Sequence, residues 1–205
     1  MSASGHDCYI AVDLGGTKTV AALYSVADQQ LIPRLSQRYQ SRDYRSIEPI
    51  ISDFLGRIDH DITAIFLGIA GVVTPEQGQV TNLPWVISRP QLQALGFSQV
   101  HLLNDLTAIA ASIPLLNDGD LHCLQPGTAS GEVAAILAPG TGLGQGYLFH
   151  ARGDYYPRGC EGGHCDFGPI GAEQHQLYQW LWEREQRQIS YERVCAGPAI
   201  ATLYD

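Results

Sequence analysis

Two apolar runs, over residues 8–12 and 19–24, stand on either side of the glycine pair Gly15 and Gly16. Short apolar stretches bounded by glycine predict strand, tight turn, strand: a β-hairpin with a polar tip. Residues 31–39 are weakly patterned and add a third strand. Behind the polar segment 41–43, Ile47, Ile50, Ile51, Phe54, Leu55 and Ile58 recur at helical spacing, so an amphipathic helix starts at that signal. Residues 62–70 form a nearly continuous apolar run ending in Gly71, the pattern of a strand buried on both faces and the expected centre of an α/β layer. Ser88 is placed to cap a short helix ending at Gly96, and residues 100–103 give another strand. Asn104 and Asp105 stand where that strand turns into a helix over 106–113.

Loop signals over 114–130 mark a boundary, which divides the chain into an N-terminal α/β lobe over 1–113 and a second lobe over 114–205. In the second lobe, residues 133–137 and 147–150 read as strands around the glycine-rich segment 139–146. The strand, glycine turn, strand arrangement of the N-terminus therefore recurs. A helix over 172–184 carries Leu177, Trp180 and Leu181 on one face, and another begins at Gly197.

Composition narrows the class. Of 205 residues, 45% are hydrophobic and 16% charged, which is the balance of a soluble globular chain. Twelve Lys and Arg oppose 21 Asp and Glu, and the net charge of -9 disfavours nucleic acid and anionic membrane surfaces as partners. Residues 1–7 lack the basic and apolar regions of a signal peptide, and no apolar run is long enough to span a bilayer, so a cytoplasmic location is expected. Cysteines at 8, 123, 160, 165 and 195 show no C-x-x-C spacing and are expected as reduced, mostly buried thiols.

Four segments carry candidate chemistry. The hairpin turn at 13–19 lets glycine amides approach an anion, and Asp13 there can orient Mg²⁺ or its waters. Gly140, Thr141, Gly142 and Gly144 form a second turn with the same capacity. Either turn also serves as a plain β-turn. Neither is a Walker A loop, and Gln145 occupies the place of the third glycine in G-x-G-x-x-G, which disfavours a nicotinamide dehydrogenase. At the strand end, Asp105 can accept a proton from an attacking hydroxyl, while helix capping is the alternative use of Asn104 and Asp105. In the segment 161–167, Gly162 and Gly163 bring the backbone close to a ligand, and Glu161 and His164 offer an acceptor and a donor suited to vicinal hydroxyls. A metal site from His164, Cys160 and Cys165 does not match the usual zinc spacings.

The runs DLGGTKT at 13–19, TNLPW at 81–85, LLNDLTA at 102–108, PGTGLGQG at 139–146, EGGHCDF at 161–167 and ERVCAGPAI at 192–200 follow one another along almost the whole chain. Together they resemble the bacterial glucokinase family. The resemblance implies an α/β protein of the actin-like, ribonuclease-H-like ATPase fold with two lobes. It also implies transfer of the γ-phosphoryl group of ATP, with Mg²⁺, onto glucose to give glucose 6-phosphate at the start of glycolysis. Val12, Asp13, Leu14, Gly15, Gly16 and Thr17 would then make the first ATP-binding loop, and Gly140, Thr141, Gly142 and Gly144 the second. Asp105 would be the catalytic base, and Asn104, Asp105, Glu161, His164 and Glu185 would hold the sugar. Glu185 is identified only by its distance before ERV at 192–194, and a surface carboxylate at a helix end is the alternative. The cysteine-rich zinc motif of the related ROK sugar kinases is absent. Family members continue past the position of Asp205 with the remainder of the second lobe and the adenosine-binding segment, so an incomplete second lobe is expected. A homodimer is compatible with the family. The alternatives are a kinase for another hexose, polyphosphate as donor, and a sugar-binding or regulatory fragment without catalysis.

Overall fold

Alternation sets the first sheet. In β1 (Cys8–Leu14) the residues at 8, 10, 12 and 14 are buried, while Ala11 and Asp13 on the opposite face are exposed, the period of a strand with one covered face. The computed structural model describes residues 7–28, 30–128 and 131–204. β1 forms an antiparallel hairpin with β2 (Lys18–Ala27), which pairs in turn with β3 (Gln30–Gln40). On the other side of β1 lies β4 (Ile62–Ile69), parallel to it. A small separate antiparallel sheet follows, made of β5 (Gly71–Val73), β6 (Gln77–Val80) and β7 (Val86–Ser88). β8 (Val100–Asn104) then lies parallel to β4 and completes a five-stranded sheet of order β3-β2-β1-β4-β8. β1 is therefore the middle strand, and not β4 as its apolar run suggests. The hairpin adds two strands on one side of β1, and the parallel strands extend the other. The sheet β5-β6-β7 was not foreseen, because its strands are three or four residues long and β6 carries glutamines on its exposed side.

The first unit closes around α1 (Glu48–Leu55), α2 (Arg89–Ala94) and the start of α3 (Asp105–Ser112). Ile47, Ile50, Ile51 and Phe54 are fully buried against Ile10, Leu14, Ile65, Leu67 and Ile69, with Trp85, Ile87 and Leu92 in the same core. Each such side chain contributes about 1.5–3 kcal/mol of transfer free energy. The helix signal at 41–43 works differently from expectation. Ser41 opens a separate 3₁₀ turn (Ser41–Asp43), and α1 starts at Glu48 behind Ile47 with Pro49 in its first turn. Ser88 does precede α2, but its side chain makes no capping bond.

The chain divides into two compact units, Met1–Ala108 and Ile109–Asp205. In the second, β9 (Val133–Pro139), β10 (Leu143–Ala151) and β11 (Asp154–Cys160) form a meander of order β11-β10-β9. β11 escaped the sequence reading. Its hairpin with β10 turns through Arg152 and Gly153, both at positive φ (55° and 86°), the conformation that matches strand twist. α4 (Gly171–Glu185), α5 (Glu192–Cys195) and α6 (Gly197–Tyr204) follow. Leu181 is buried with Phe167 and Ile189, flanked by Leu177, Tyr178 and Val194. Trp180, expected on that face, is 40% exposed. It lies on the opposite flank of the Leu177 and Leu181 stripe from Tyr178, and Arg184 stacks over its ring. Of the five free cysteines only Cys8 is buried, whereas Cys123, Cys165 and Cys195 are exposed, because they fall in loops and on short elements outside either core. Among the described residues no helix is long and apolar enough to cross a membrane.

Candidate functional site

Main-chain amides decide what the first glycine turn can bind. β1 ends at Leu14 and β2 begins at Lys18, and the Gly15 N–H closes the turn onto the Lys18 carbonyl at 3.0 Å. The amides of Gly16 and Thr17 have no acceptor among the described residues, so an anion can take them. Ser41 clamps the turn from behind. Its N–H donates to the Thr17 carbonyl at 3.0 Å, and its hydroxyl donates to the Gly15 carbonyl at 2.8 Å and lies 3.0 Å from the buried Thr19 hydroxyl. Gly16 is glycine for a packing reason: a Cβ there would stand 2.8 Å from the Cβ of Asn82, in the turn between β6 and β7. Val12 and Leu14 are 3% and 0% exposed, so only their main-chain atoms are available to a ligand.

Asp13 is exposed and pairs in register with Gly68 on β4. Gly68 lies under the start of α3, where a Cβ would stand 3.6 Å from that of Ala108 and 4.0 Å from the Asp105 Cα. Asp13 and Asp105 therefore flank the same glycine. The donor chemistry fits Mg²⁺, which takes one or two carboxylates and fills its shell with water and phosphate oxygens.

At the junction of β8 and α3 the two candidate residues divide their tasks. Asn104 is the cap: its Oδ1 accepts the N–H groups of Leu106 and Thr107 at 3.1 and 3.3 Å, and its Nδ2 donates to the Gly71 carbonyl at 3.1 Å. Asp105 is half-buried in the first turn of the helix, with Oδ1 accepting the Leu106 N–H at 2.9 Å.

The second glycine turn is shorter than its sequence suggests, because β9 runs to Pro139 and β10 begins at Leu143, which leaves 140–142 as the turn and puts Gly144 in the strand. Gly140 N–H donates to the Gly142 carbonyl at 2.8 Å, and Leu143 N–H to Glu192 Oε2 at 3.0 Å. The amides of Thr141 and Gly142 have no acceptor among the described residues. Glu192 stands where a Cβ on Gly142 would be, and Gly197 N–H reaches the Gly140 carbonyl at 2.8 Å, so α5 and α6 hold this turn. Beside it lies a small open hollow lined by Thr141, Glu185, Glu192, Arg193, Ala196, Pro198, Ala199 and Thr202.

The same strand carries the third feature. A 3₁₀ turn (Gly162–His164) packs on the start of β10 and leaves Glu161 and His164 exposed, with His164 Nε2 at 3.6 Å from Glu161 Oε2. An acceptor and a ring nitrogen thus project from one turn. Glu185 sits elsewhere in its chemistry: its Oε2 accepts Arg187 Nε–H at 2.8 Å and lies 3.7 Å from Arg193 Nε, in ion pairs at the end of α4. Sequence reasoning missed Ser41, Asn82, Gln145 and Glu192. Asn82, Gln145 and Glu192 lie inside the TNLPW, PGTGLGQG and ERVCAGPAI runs, which carry the available signal, while Ser41 belongs to the polar segment 41–43 that reads as a helix start.

The chain is similar to known proteins along most of its length. The family model described as Glucokinase matches residues 10–205. The glucokinase of Nostoc punctiforme is 37% identical over 201 residues, which cover 95% of this chain and 59% of the relative. A glucokinase structure from an Antarctic psychrotroph superposes with a TM-score of 0.82 at 27% identity, over 97% of this chain and 63% of that one. A ROK family glucokinase from Streptomyces griseus, in complex with glucose and AMPPNP, gives a TM-score of 0.60 at 21% identity, over 95% of this chain and 59% of that one. The chain spans about three fifths of the length of these relatives. The fold they share with it is the mixed α/β actin-like ATPase fold.

Proposed function

The chain belongs to the glucokinase family, and from that premise we propose that it acts in phosphorylating glucose with ATP to give glucose 6-phosphate and ADP. The observation that carries the reading is the packing of the Glu161 turn onto the strand that leaves the second glycine turn, so that groups suited to hydroxyls and groups suited to phosphate rise from one strand. The open amides of Gly16, Thr17, Thr141 and Gly142 are the anion-binding groups on this reading, with the Thr141 hydroxyl beside them. Glu161 and His164 hold sugar hydroxyls, and the amide of Asn104 adds its second N–H. Asp105 takes the proton of the primary hydroxyl as its oxygen bonds to the γ-phosphorus and the bond to the β-phosphate oxygen breaks. Mg²⁺, when bound near Asp13, spreads the charge that develops on the phosphoryl oxygens. Glu185, ion-paired through Oε2 with Arg187 and Arg193, lines the hollow beside Thr141 and keeps its expected sugar-binding role on this reading. Glu192 is given the task of holding the second turn. ATP is the donor by analogy with the AMPPNP complex of the Streptomyces griseus enzyme. The five unpaired cysteines suit a cytoplasmic site of action.

The test is a coupled assay of glucose 6-phosphate formation beside glucose calorimetry. Asp105→Asn should keep glucose affinity and lower turnover by about two to four orders of magnitude, the usual worth of a general base. Glu161→Gln and His164→Ala should instead weaken glucose binding. Turnover of Asp105→Asn within a few-fold of the parent removes Asp105 from the chemistry, and a hexose panel that favours another sugar replaces glucose.

A further inference from the structure

The two glycines of the Glu161 turn answer to the strand beside them. A Cβ on Gly163 would run into the main-chain carbonyl of Leu143, and a Cβ on Gly162 into the side-chain amide of Gln145. The two obstructions differ in kind. Leu143 belongs to the backbone of β10, fixed in register against Pro139, and cannot retreat. Gln145 lies between Leu137 and Cys160 in the same sheet, so its Cβ is fixed, but its amide is the end of a flexible side chain. That side chain is half-buried, and among the described residues its amide makes no hydrogen bond within the chain. Its contact with Gly162 is one of shape.

We infer that Gln145 is a positioning residue: its side chain fills the space over Gly162 and fixes the height at which the turn presents Glu161 and His164. Within itself the turn has little to resist movement. Only His164 N–H to the Glu161 carbonyl at 3.0 Å and Cys165 N–H to the Gly162 carbonyl at 3.1 Å close it. From outside, Gln188 Nε2 donates to the His164 carbonyl at 3.2 Å and Tyr191 N–H to the Cys165 carbonyl at 3.0 Å, which hold the end of the turn; its glycines rest on β10, Gly163 against Leu143 and Gly162 against Gln145. A group that must meet a sugar hydroxyl within hydrogen-bond reach loses affinity steeply when displaced by an ångström. The consequence for sugar binding rests on the function proposed above, whereas the consequence for the turn does not.

Two measurements separate them. Amide hydrogen exchange on the ligand-free protein should show faster exchange across 161–165 in Gln145→Ala, with the hairpin of β1 and β2 unchanged. Gln145→Met, of equal reach but without the amide, should restore the parent rate, because volume is what acts. Gly162→Ala alone should also loosen the turn, and Gln145→Ala combined with Gly162→Ala should recover most of the loss, since the obstruction has gone. Gly163→Ala should not be relieved by Gln145→Ala, because its obstruction is backbone. Glucose calorimetry should follow the same order, with affinity about tenfold weaker in Gln145→Ala. Unchanged exchange at 161–165 in Gln145→Ala, failure of Gln145→Met to restore it, or equal cost of Gly162→Ala in both backgrounds overturns the inference. If the exchange results hold while the parent protein binds no glucose, the positioning stands and the sugar reading falls.

Discussion

Ser41 is a fully buried hydroxyl residue whose N–H and hydroxyl bonds go to the first glycine turn and to Thr19. Removing the hydroxyl leaves the Gly15 carbonyl without its side-chain donor and the Thr19 hydroxyl without a partner, and unsatisfied buried groups cost about 1–3 kcal/mol. Ser41→Ala should lower the urea unfolding free energy by that amount; a change within a few tenths would mean that water takes over the bonds. A second residue-scale network ties β3 to α1. Tyr39 Oη donates to Asp53 at 2.8 Å, and Arg57 donates to both Asp53 oxygens at 2.9 and 3.2 Å. The Arg57 bonds, then that of Tyr39, hold the Asp53 carboxyl below its ordinary value of 3.8. Burial first, and then the Asp53 bond, pushes the Tyr39 hydroxyl above its ordinary value of 10.0. Since folding lowers the Asp53 value, its contribution is present above pH 3.8 and is lost as pH falls through the folded value. Tyr39 has the opposite sign: its contribution is whole below pH 10.0 and is lost as pH rises through the folded value. In Asp53→Asn the acid limb of a stability-pH profile should therefore flatten, while the part of the alkaline limb due to burial persists. An acid limb as steep as the parent's would assign it to other carboxylates.

At the scale of elements, the glycine turns are shaped by what packs behind them. The first turn approaches the β6–β7 turn so closely that Gly16 and Asn82 share one space. Gly16→Ala should destabilise the protein and weaken nucleotide binding. Asn82→Ala should not relieve it, because the obstructing atom is the Asn82 Cβ at 2.8 Å, which alanine keeps. Asn82→Gly should relieve it. Melting temperatures of the single and double variants check this, and equal rescue by alanine and glycine would contradict the packing account. Gly71 is confined in a similar way against the Gln79 carbonyl, which is backbone and cannot yield. The apolar run of β4 announced a strand but not its neighbours. Neighbours are fixed by β8 returning parallel beside it, and nothing in the run itself encodes that return.

Across the whole molecule the two units differ in how much they bury. The first has a continuous core that includes Ile10, Leu14, Ile47, Phe54, Ile65 and Trp85, whereas among the described residues the second clusters Phe167, Leu181 and Ile189 with a few partly buried neighbours, and Leu148, Ala196 and Ala199 are buried outside that cluster. Leu137, Phe149, Tyr155 and Tyr156 on its sheet remain exposed. Local stability follows buried apolar contact, so amide exchange and limited proteolysis should open residues 131–204 before 7–108. Uniform protection across the chain would show that the units unfold together. The sequence by itself determined the hairpin, the strand at 62–69, the amphipathic helix, the two glycine turns and the placing of Asp105 at a strand-to-helix junction, because each is written in a local period or in a residue type suited to one backbone conformation. The tertiary structure alone decided that Ser41 serves the first turn rather than a helix, that Asn82 and Gln145 are the reasons for Gly16 and Gly162, and that Glu192 reaches back to the Leu143 amide. These partners are remote in sequence, brought together by sheet register and close packing, and a contact of that kind leaves no period along the chain.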